Sequence, residues 1–310
     1  MTTVIEPQSE QQAAELRHSP EVSIVIPAYN EEGAIAEDLA ALKEELSAIG
    51  LDYEVIVVND GSKDNTAAEA AKVDGIEIIS HEVNRGYGAA LKTGIRNARA
   101  DIVVITDADG TYPPRYIPEL VQDVRDGADM AVGARVGSSV AIPTIRKPAK
   151  WVLAKLASYL AEQHIPDLNS GLRAFRKDAV ARFFNILPNG FSFTTTITLG
   201  MLTNGYRVVY RPIDYLHRVG SSKIRPIKDT YNFIVLILRT ICYFNPLRVF
   251  VPPAVFCTIV GLVKLIHGVF WEHDISQGEM MMLLAAAQLL GTGMVAEMVS
   301  KIITGGTPSK

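Results

Sequence analysis

The sequence has few cysteines and little net charge, and each shortage argues against a class of protein. Cys242 and Cys257 are the two cysteines among 310 residues, and both lie in apolar surroundings without Cys-x-x-Cys or Cys/His spacing. A disulfide framework or a zinc site is therefore not expected, and both cysteines are interpreted as packing residues. The formal net charge is -4, so no basic excess indicates a nucleic-acid partner.

Two common nucleotide-binding motifs are also absent. Neither G-x-G-x-x-G nor G-x-x-x-x-G-K-[ST] follows a predicted strand, which argues against a Rossmann dehydrogenase and a P-loop NTPase. The first 21 residues are rich in Glu and Gln and contain no apolar segment, so they predict a flexible tail without a signal peptide.

From residue 22 onwards the sequence alternates between strand and helix patterns. Strands are predicted at 22–26, 54–58, 76–80, 102–106, 130–133 and 206–210, and helices at 35–49, 65–73, 89–98, 177–184 and 192–203. This order predicts an α/β fold with a mostly parallel, doubly wound sheet. Loops 29–32, 60–62, 84–88 and 107–111 follow strands, so we expect them to converge at one edge.

The stretch 102–114 carries the clearest chemical signal. Asp107 and Asp109 follow a buried strand, with Gly110 behind them, and two such carboxylates can ligate one Mg²⁺ or Mn²⁺. A polar turn after a strand has the same composition, so the pattern alone leaves both interpretations open. Glu31 and Asp60 can accept hydrogen bonds from a ribose or a base, and together these loops suit a nucleotide diphosphate.

Two long apolar segments, at about 250–271 and 280–303, can each cross ~30 Å of hydrocarbon. An acidic turn separates them, and Arg239, Arg248 and Lys301 flank the other side, which places that side in the cytoplasm. An amphipathic helix at 229–244 suits the membrane interface. We therefore predict a tail at 1–21, a catalytic domain at 22–224, an interfacial region at 225–248 and a transmembrane hairpin at 249–310.

Three motifs resemble a known family. VSIVIPAYNEE at 22–32, EVIVVNDGSKDNT at 54–66 and DAD at 107–109 are similar to GT-A glycosyltransferases of family 2. The likeness is strongest to polyprenyl-phosphate hexose synthases such as dolichol-phosphate mannose synthase and bacterial undecaprenyl-phosphate glucosyltransferases, and it covers about residues 22–225. It implies inverting transfer of one hexose or uronic acid from a UDP- or GDP-sugar to a polyprenyl phosphate. The two apolar segments predict a multi-pass protein of the cytoplasmic (inner) membrane. Hairpin-anchored members of the family can assemble as tetramers, so a homo-oligomer is expected.

The resemblance also implies roles for particular residues around the sugar donor. Those expected around the nucleoside are Pro27, Tyr29, Glu31 and Asp60. Asp107 and Asp109 are expected at the Mg²⁺ or Mn²⁺ ion, with Asp109 essential for catalysis. Thr111 stands where the mannose synthases commonly carry a glutamine metal ligand, and its hydroxyl is a weaker ligand. A Gly/Ser loop that includes Ser221, Ser222 and Lys223 looks like the family's lid over the diphosphate, although surface loops have the same composition.

On the acceptor side the resemblance assigns the lipid phosphate to Arg135 and Arg146. Lys150 stands where the family has a serine and keeps a donor as a point charge. These cations also suit a solvated basic face. Many family 2 enzymes use an acid in the region of Asp167 as a general base, but a lipid phosphate is already ionised at pH 7. Asp167 is therefore expected to act in the catalytic site by orienting groups or binding the sugar, without removing a proton.

Two other functions fit parts of the pattern. A membrane-bound polysaccharide glycosyltransferase is disfavoured because exporting synthases need more than two spans, and no QxxRW-type motif occurs in the sequence. A non-catalytic nucleotide-sugar binding subunit is disfavoured by the intact pair Asp107 and Asp109.

Overall fold

The computed structural model describes residues 19–48, 50–135, 155, 157–159, 163–190, 192–215, 235, 238–272 and 277–303. The chain divides into two compact units. The first comprises Met1–Val140, Asn169–Thr194 and Val208–Ser221, and the second comprises Ala141–Leu168, Thr195–Arg207 and Ser222–Lys310.

The first unit is built on a seven-stranded sheet in the order β3-β2-β1-β4-β6-β5-β7. Its strands are β1 (Val22–Ala28), β2 (Tyr53–Asn59), β3 (Ile76–Ser80), β4 (Ile102–Ile105), β5 (Met130–Ala134), β6 (Arg173–Arg176) and β7 (Val208–Pro212). The helices that follow these strands are α1 (Ile35–Ala48), α2 (Thr66–Ala70), α3 (Tyr87–Asn97), α4 (Ile117–Arg125) and α5 (Lys177–Ala181), and α6 (Phe193–Thr203) precedes β7.

The sheet is mixed, and its one antiparallel strand was not predicted. β1 to β4 run parallel, as does the pair β5 and β7, whereas β6 runs antiparallel to both β4 and β5. The sequence of β6 is Arg-Ala-Phe-Arg, so its pattern lacks the apolar run that marks the other central strands. Arg173 is fully buried there, and its Nε donates to the Ser170 carbonyl at 2.8 Å.

Several predicted boundaries were wrong. The helices predicted at 65–73 and 177–184 end at Ala70 and Ala181, and two further differences concern α3 and β7. The helix predicted at 89–98 begins two residues earlier, at Tyr87, which brings this side chain into the first turn of α3. The strand predicted at 206–210 is observed at Val208–Pro212. Tyr206 instead lies just after α6, where its N–H donates to the Met201 carbonyl and Gly205 has a φ of +76°.

The sheet and its helices enclose an apolar core. Ile35, Leu39, Leu42 and Leu46 recur at helical spacing on α1 and are all buried in the core cluster that includes β1. Burial of each such side chain contributes about 1.5–3 kcal/mol to the free energy of folding, and together they hold α1 against the sheet.

The second unit contains the hairpin of α7 (Leu247–His267), a π-helical turn (Gly268–Glu272) and α8 (Gln277–Ile303). Leu247–Phe270 and Gln277–Ile302 are long and apolar enough to cross a membrane. Both begin three residues before the predicted spans. Their apolar side chains, such as Phe256, Val263 and Met298, are exposed within the described part of the chain. Of the predicted amphipathic helix, residues 235 and 238–244 are described, and 238–244 are helical.

Candidate functional site

The loops that follow β1 and β2 are tied together by hydrogen bonds at the carboxyl edge of the sheet. The Asn30 N–H donates to Ser62 Oγ at 3.0 Å, and the Lys63 N–H donates to Asn30 Oδ1 at 2.9 Å. The Glu31 N–H donates to Thr66 Oγ1 at 2.8 Å. The loop that carries Tyr29 and Glu31 is thus held on the loop that carries Asp60.

Asp60 organises the next loop along this edge. Its buried carboxylate accepts from the backbone N–H groups of Arg85, at 2.9 Å, and Gly86, at 2.8 Å. His81 Nδ1 lies 2.7 Å from Asp60 Oδ1, and His81 Nε2 lies 2.9 Å from Thr93 Oγ1. Asp60 therefore holds the turn that leads into α3, and its contact with a nucleoside stays a prediction.

That turn delivers Tyr87 to the acidic pair. The Tyr87 hydroxyl donates to Asp107 Oδ1 at 2.9 Å. Burial, and next the negative charge of Asp107, raise the pKa of Tyr87 well above its ordinary value of 10, so the phenol stays a protonated donor. On the other side of the same carboxylate, a Cβ on Gly171 would lie 2.5 Å from Asp107 Oδ2. Asp107 therefore lies against the Tyr87 phenol and the backbone of Gly171, where the side chain of any other residue would collide with its carboxylate.

The second carboxylate, Asp109, is oriented from within its own turn. Thr111 is fully buried, and its hydroxyl donates to Asp109 Oδ1 at 2.6 Å. This bond gives Thr111 an orienting role, and its ligation of a metal stays a prediction. Gly110 has a φ of +65°, which favours glycine, and a Cβ there would lie 2.8 Å from Asp38 Oδ1 on α1.

Asp38 adds a third carboxyl group near this turn. Burial, and then the charge of Asp109, raise the pKa of Asp38 to about 6, while a hydrogen bond from the Gly110 N–H opposes the rise. Its Oδ2 atom is buried without a hydrogen-bond partner among the described residues. Behind the turn lies a cavity of about 210 Å³, lined mainly by apolar side chains of α1 and residues 106–117.

Arg135, predicted on the acceptor side, lies in the same unit as the acidic pair. It directly follows β5, and β7 runs beside β5 with Ala134 opposite Pro212. The Arg135 guanidinium lies 5.2 Å from the centre of the Tyr215 ring, and the Tyr215 ring packs edge-on against Tyr112. The Gly171 N–H donates to the Tyr112 hydroxyl at 2.7 Å. One glycine therefore contacts both Tyr112 and Asp107.

The donor set fits a hard cation. Asp107 and Asp109 offer carboxylate oxygens, which Mg²⁺ and Mn²⁺ prefer. The residues that the structure describes include no group of three or more His, Cys, Asp or Glu side chains able to hold a metal by themselves. A cation here would need further oxygens from a substrate or water, as is usual for Mg²⁺ with phosphate substrates.

The other predicted residues have varied placements. Pro27 lies inside β1 opposite Val58, and Tyr29 is exposed just beyond that strand. Asp167 is buried in the second unit. The nucleoside role of Pro27, Tyr29 and Glu31 and the orienting role of Asp167 stay predictions. Arg146, Lys150, Ser221, Ser222 and Lys223 lie outside the described residues.

Several residues of the site were not singled out from the sequence. They are Asp38, His81, Tyr87, Tyr112, Gly171 and Tyr215. Tyr87 had a usable signal, because it lies in a glycine-rich loop already expected at this edge. Gly171 and Tyr215 contact residues that are far away in the sequence, so no local sequence pattern could have predicted these contacts.

Proteins of known structure have the same fold as this chain. Crystal structures of glucosyl-3-phosphoglycerate synthase from Mycobacterium tuberculosis share it. The complex with phosphoglyceric acid has a TM-score of 0.57 at 22% identity and covers 76% of this chain and 85% of that chain. The complex with Mn²⁺, uridine-diphosphate and phosphoglyceric acid has a TM-score of 0.55 at 23% identity, over 77% and 85%. The architecture is therefore GT-A-like, as predicted.

The family follows from the sequence itself. Residues 23–184 match the model of Glycosyl transferase family 2, and residues 245–302 match that of the GtrB C-terminal hairpin. The chain belongs to glycosyl transferase family 2, and its two C-terminal apolar helices form a hairpin of the GtrB type. Both findings confirm the resemblance seen in the motifs.

Two relatives are named as polyprenyl-phosphate sugar transferases. An undecaprenyl-phosphate 4-deoxy-4-formamido-L-arabinose transferase of Klebsiella pneumoniae (strain 342) is 27% identical over 303 residues, which are 91% of this chain and 88% of the relative. A dolichyl-phosphate hexose transferase of Haloferax volcanii is 31% identical over 207 residues, which are 66% of this chain and 87% of the relative.

Proposed function

We propose that the protein transfers one sugar from a nucleotide diphosphate to a polyprenyl phosphate. The observation that carries this proposal is the acidic pair, Asp107 and Asp109, at the carboxyl end of β4 in the first unit, with Arg135 following β5 in the same unit. Family membership supports sugar transfer, and the names of the two relatives support a polyprenyl phosphate acceptor.

The donor side follows from the strand-end loops. Asp107 and Asp109 would hold Mg²⁺ or Mn²⁺, which when bound supplies positive charge that offsets the developing charge on the departing diphosphate. Tyr87 and Thr111 keep the two carboxylates in fixed orientations before substrate arrives. Tyr29, Glu31 and Asp60 would contact the nucleoside of a UDP- or GDP-sugar, because their loops are tied together beside this pair.

The acceptor side needs a cation more than a base. A lipid phosphate has lost its first proton at pH 7, so its oxygen can attack the anomeric carbon directly. Arg135 would orient this anion by charge-assisted hydrogen bonds, with Arg146 and Lys150 as predicted partners. Attack opposite the departing diphosphate inverts the anomeric centre. Asp167 would then orient groups without removing a proton.

The membrane location rests on the hairpin. Its two helices are each long enough to span the bilayer, and Arg239, Arg248 and Lys301 lie at one end while the connecting turn is acidic. We propose a multi-pass protein of the cytoplasmic membrane whose catalytic domain, residues 22–224, faces the cytoplasm. Assembly as a homo-oligomer, such as a tetramer, stays a prediction.

The test uses the full chain in detergent or nanodiscs with a panel of radiolabelled UDP- and GDP-sugars, a short polyprenyl phosphate and Mg²⁺ or Mn²⁺. The proposal predicts label in organic-extractable, acid-labile lipid from at least one donor, and its loss on addition of EDTA. Label in an aqueous polymer would instead indicate a polysaccharide glycosyltransferase. Donor binding without any transfer would indicate a non-catalytic subunit, and either result would overturn the proposal.

A further inference from the structure

An aromatic pair connects Arg135 to the turn that carries the acidic pair. Tyr112 lies three residues after Asp109, and Tyr215 follows β7. Their ring centres are 5.3 Å apart with an interplanar angle of 69°, an edge-to-face contact. Tyr112 is buried, and its hydroxyl accepts from the Gly171 N–H. Tyr112 is therefore a fixed support for the partly buried ring of Tyr215.

Tyr215 also contacts Arg135. The Arg135 guanidinium carbon lies 5.2 Å from the centre of the Tyr215 ring, within range of a cation–π attraction. The backbone also keeps the two residues together, because the Ile213 N–H donates to the Ala134 carbonyl at 2.9 Å. A guanidinium can contact a ring with its flat face while its in-plane N–H groups bind a phosphate.

Tyr112 lies within the electrostatic influence of both ends of this arrangement. Burial, the largest cause, raises the pKa of Tyr112 to about 12; Arg135 opposes this rise and Asp107 adds to it. The phenol therefore stays neutral at physiological pH. A neutral, fully packed ring can set the spacing between a cation and an acidic pair without drawing either towards itself.

We propose that Tyr215 is a positioning residue for the acceptor phosphate: it holds Arg135 by stacking and, through Tyr112, sets its position relative to Asp107. This inference rests on the proposed function, because it requires that Arg135 bind the acceptor. It goes further by assigning the placement of Arg135 to an aromatic ring. Tyr215 itself does not touch the reacting atoms.

The test compares Tyr215→Leu, which removes the ring, with Tyr215→Phe, which keeps it. With the full chain in nanodiscs, KM is measured for a short polyprenyl phosphate and for the nucleotide sugar. The inference predicts that Tyr215→Leu raises the acceptor KM roughly three- to thirtyfold, the range of a cation–π contact, and leaves the donor KM within about twofold. Tyr215→Phe should stay within about twofold of the parent for both substrates.

A matched control is available on the same unit. The Arg96 guanidinium carbon lies 5.3 Å from the centre of the Phe184 ring, so Phe184→Leu removes a contact of the same kind elsewhere. It should leave the acceptor KM unchanged. A second control combines Tyr215→Leu with Arg135→Gln: once the guanidinium is gone, loss of the ring should add no further increase in the acceptor KM.

The outcomes separate this inference from the proposed function. If the parent protein transfers no sugar to the lipid phosphate, both fail. If it does, this inference alone is overturned by an unchanged acceptor KM in Tyr215→Leu, by equal increases in both KM values, or by full additivity with Arg135→Gln. A Tyr215→Phe variant as impaired as Tyr215→Leu would assign the effect to the hydroxyl and also overturn it.

Discussion

Two acidic side chains at opposite edges of the sheet, Glu54 and Asp38, have opposite surroundings. At the amino edge, Glu54 accepts from the Ser23 hydroxyl and from two donors of Arg99, its backbone N–H and its Nε, each at 2.6 Å. Burial favours a higher pKa for Glu54, but these bonds outweigh it and lower the pKa below the ordinary value. At the carboxyl edge, burial and then the charge of Asp109 raise the pKa of Asp38.

Glu54 therefore stabilises the fold, whereas Asp38 lies beside a carboxylate that we propose binds a cation. Glu54 has a cation and donors around it, so its charge contributes to folding. Asp38 instead lies near the charge of Asp109, which together with burial makes its ionised form costly. A carboxyl group with a raised pKa beside another acid is typical of a functional edge.

The largest expected effect is on the acidic pair. Asp109→Asn keeps the shape of the side chain but removes its charge, so we expect transfer to fall by at least about 10³-fold. Asp167→Asn should leave measurable turnover, because the phosphate acceptor needs no general base. Initial rates at saturating donor measure both. Equal and complete inactivation of the two variants would contradict the assignment of their roles.

A somewhat smaller loss is expected for Gly171→Ala. The new Cβ would lie 2.5 Å from Asp107 Oδ2, and the carboxylate would have to turn away. Turnover should fall by roughly 10- to 100-fold, the scale of a small misplacement at a reactive centre. Gly190→Ala is the matched control, since nothing lies within 4 Å of its Cβ position. Equal activity in the two variants would show that Asp107 tolerates movement.

A substitution at the amino edge should change the stability of the protein. Glu54→Gln breaks a buried, charge-assisted set of bonds and should lower the free energy of unfolding by about 1–3 kcal/mol at pH 7. Because the pKa of Glu54 is lower in the folded protein, its contribution is present above the unfolded value of about 4.5 and disappears as pH falls through the folded value. Denaturation in urea at pH 7 and below pH 4 checks this. A deficit that is the same at both pH values would argue against the charge.

The smallest effect is expected for Asp38→Asn, with the opposite sign. The pKa of Asp38 is raised to about 6, so the folded protein binds more protons than the unfolded chain between about pH 4 and 6. This carboxyl group therefore makes metal-free protein less stable as pH rises through that window. Asp38→Asn in EDTA should flatten that part of the profile and slightly stabilise the protein at pH 7. A less stable variant at pH 7 would contradict the sign.

The sequence predicted the frame better than the details of the site. Apolar runs and helical periodicity located six of the strands, because burial of those residues dictates the pattern. The short strand Arg173–Arg176 escaped prediction, since its buried arginine does not read as a core residue. Asp107 and Asp109 were found because they follow a strong strand. Gly171 and Tyr215 escaped because their roles arise from contacts across the sheet.

The most direct test of the acidic pair is anomalous diffraction from Mn²⁺ in crystals grown with UDP or GDP. The account predicts an anomalous peak within about 2.0–2.4 Å of carboxylate oxygens of Asp107 and Asp109, with diphosphate oxygens completing the coordination shell. A well-occupied nucleotide with its Mn²⁺ bound elsewhere, or with both carboxylates turned away from the metal, would contradict it.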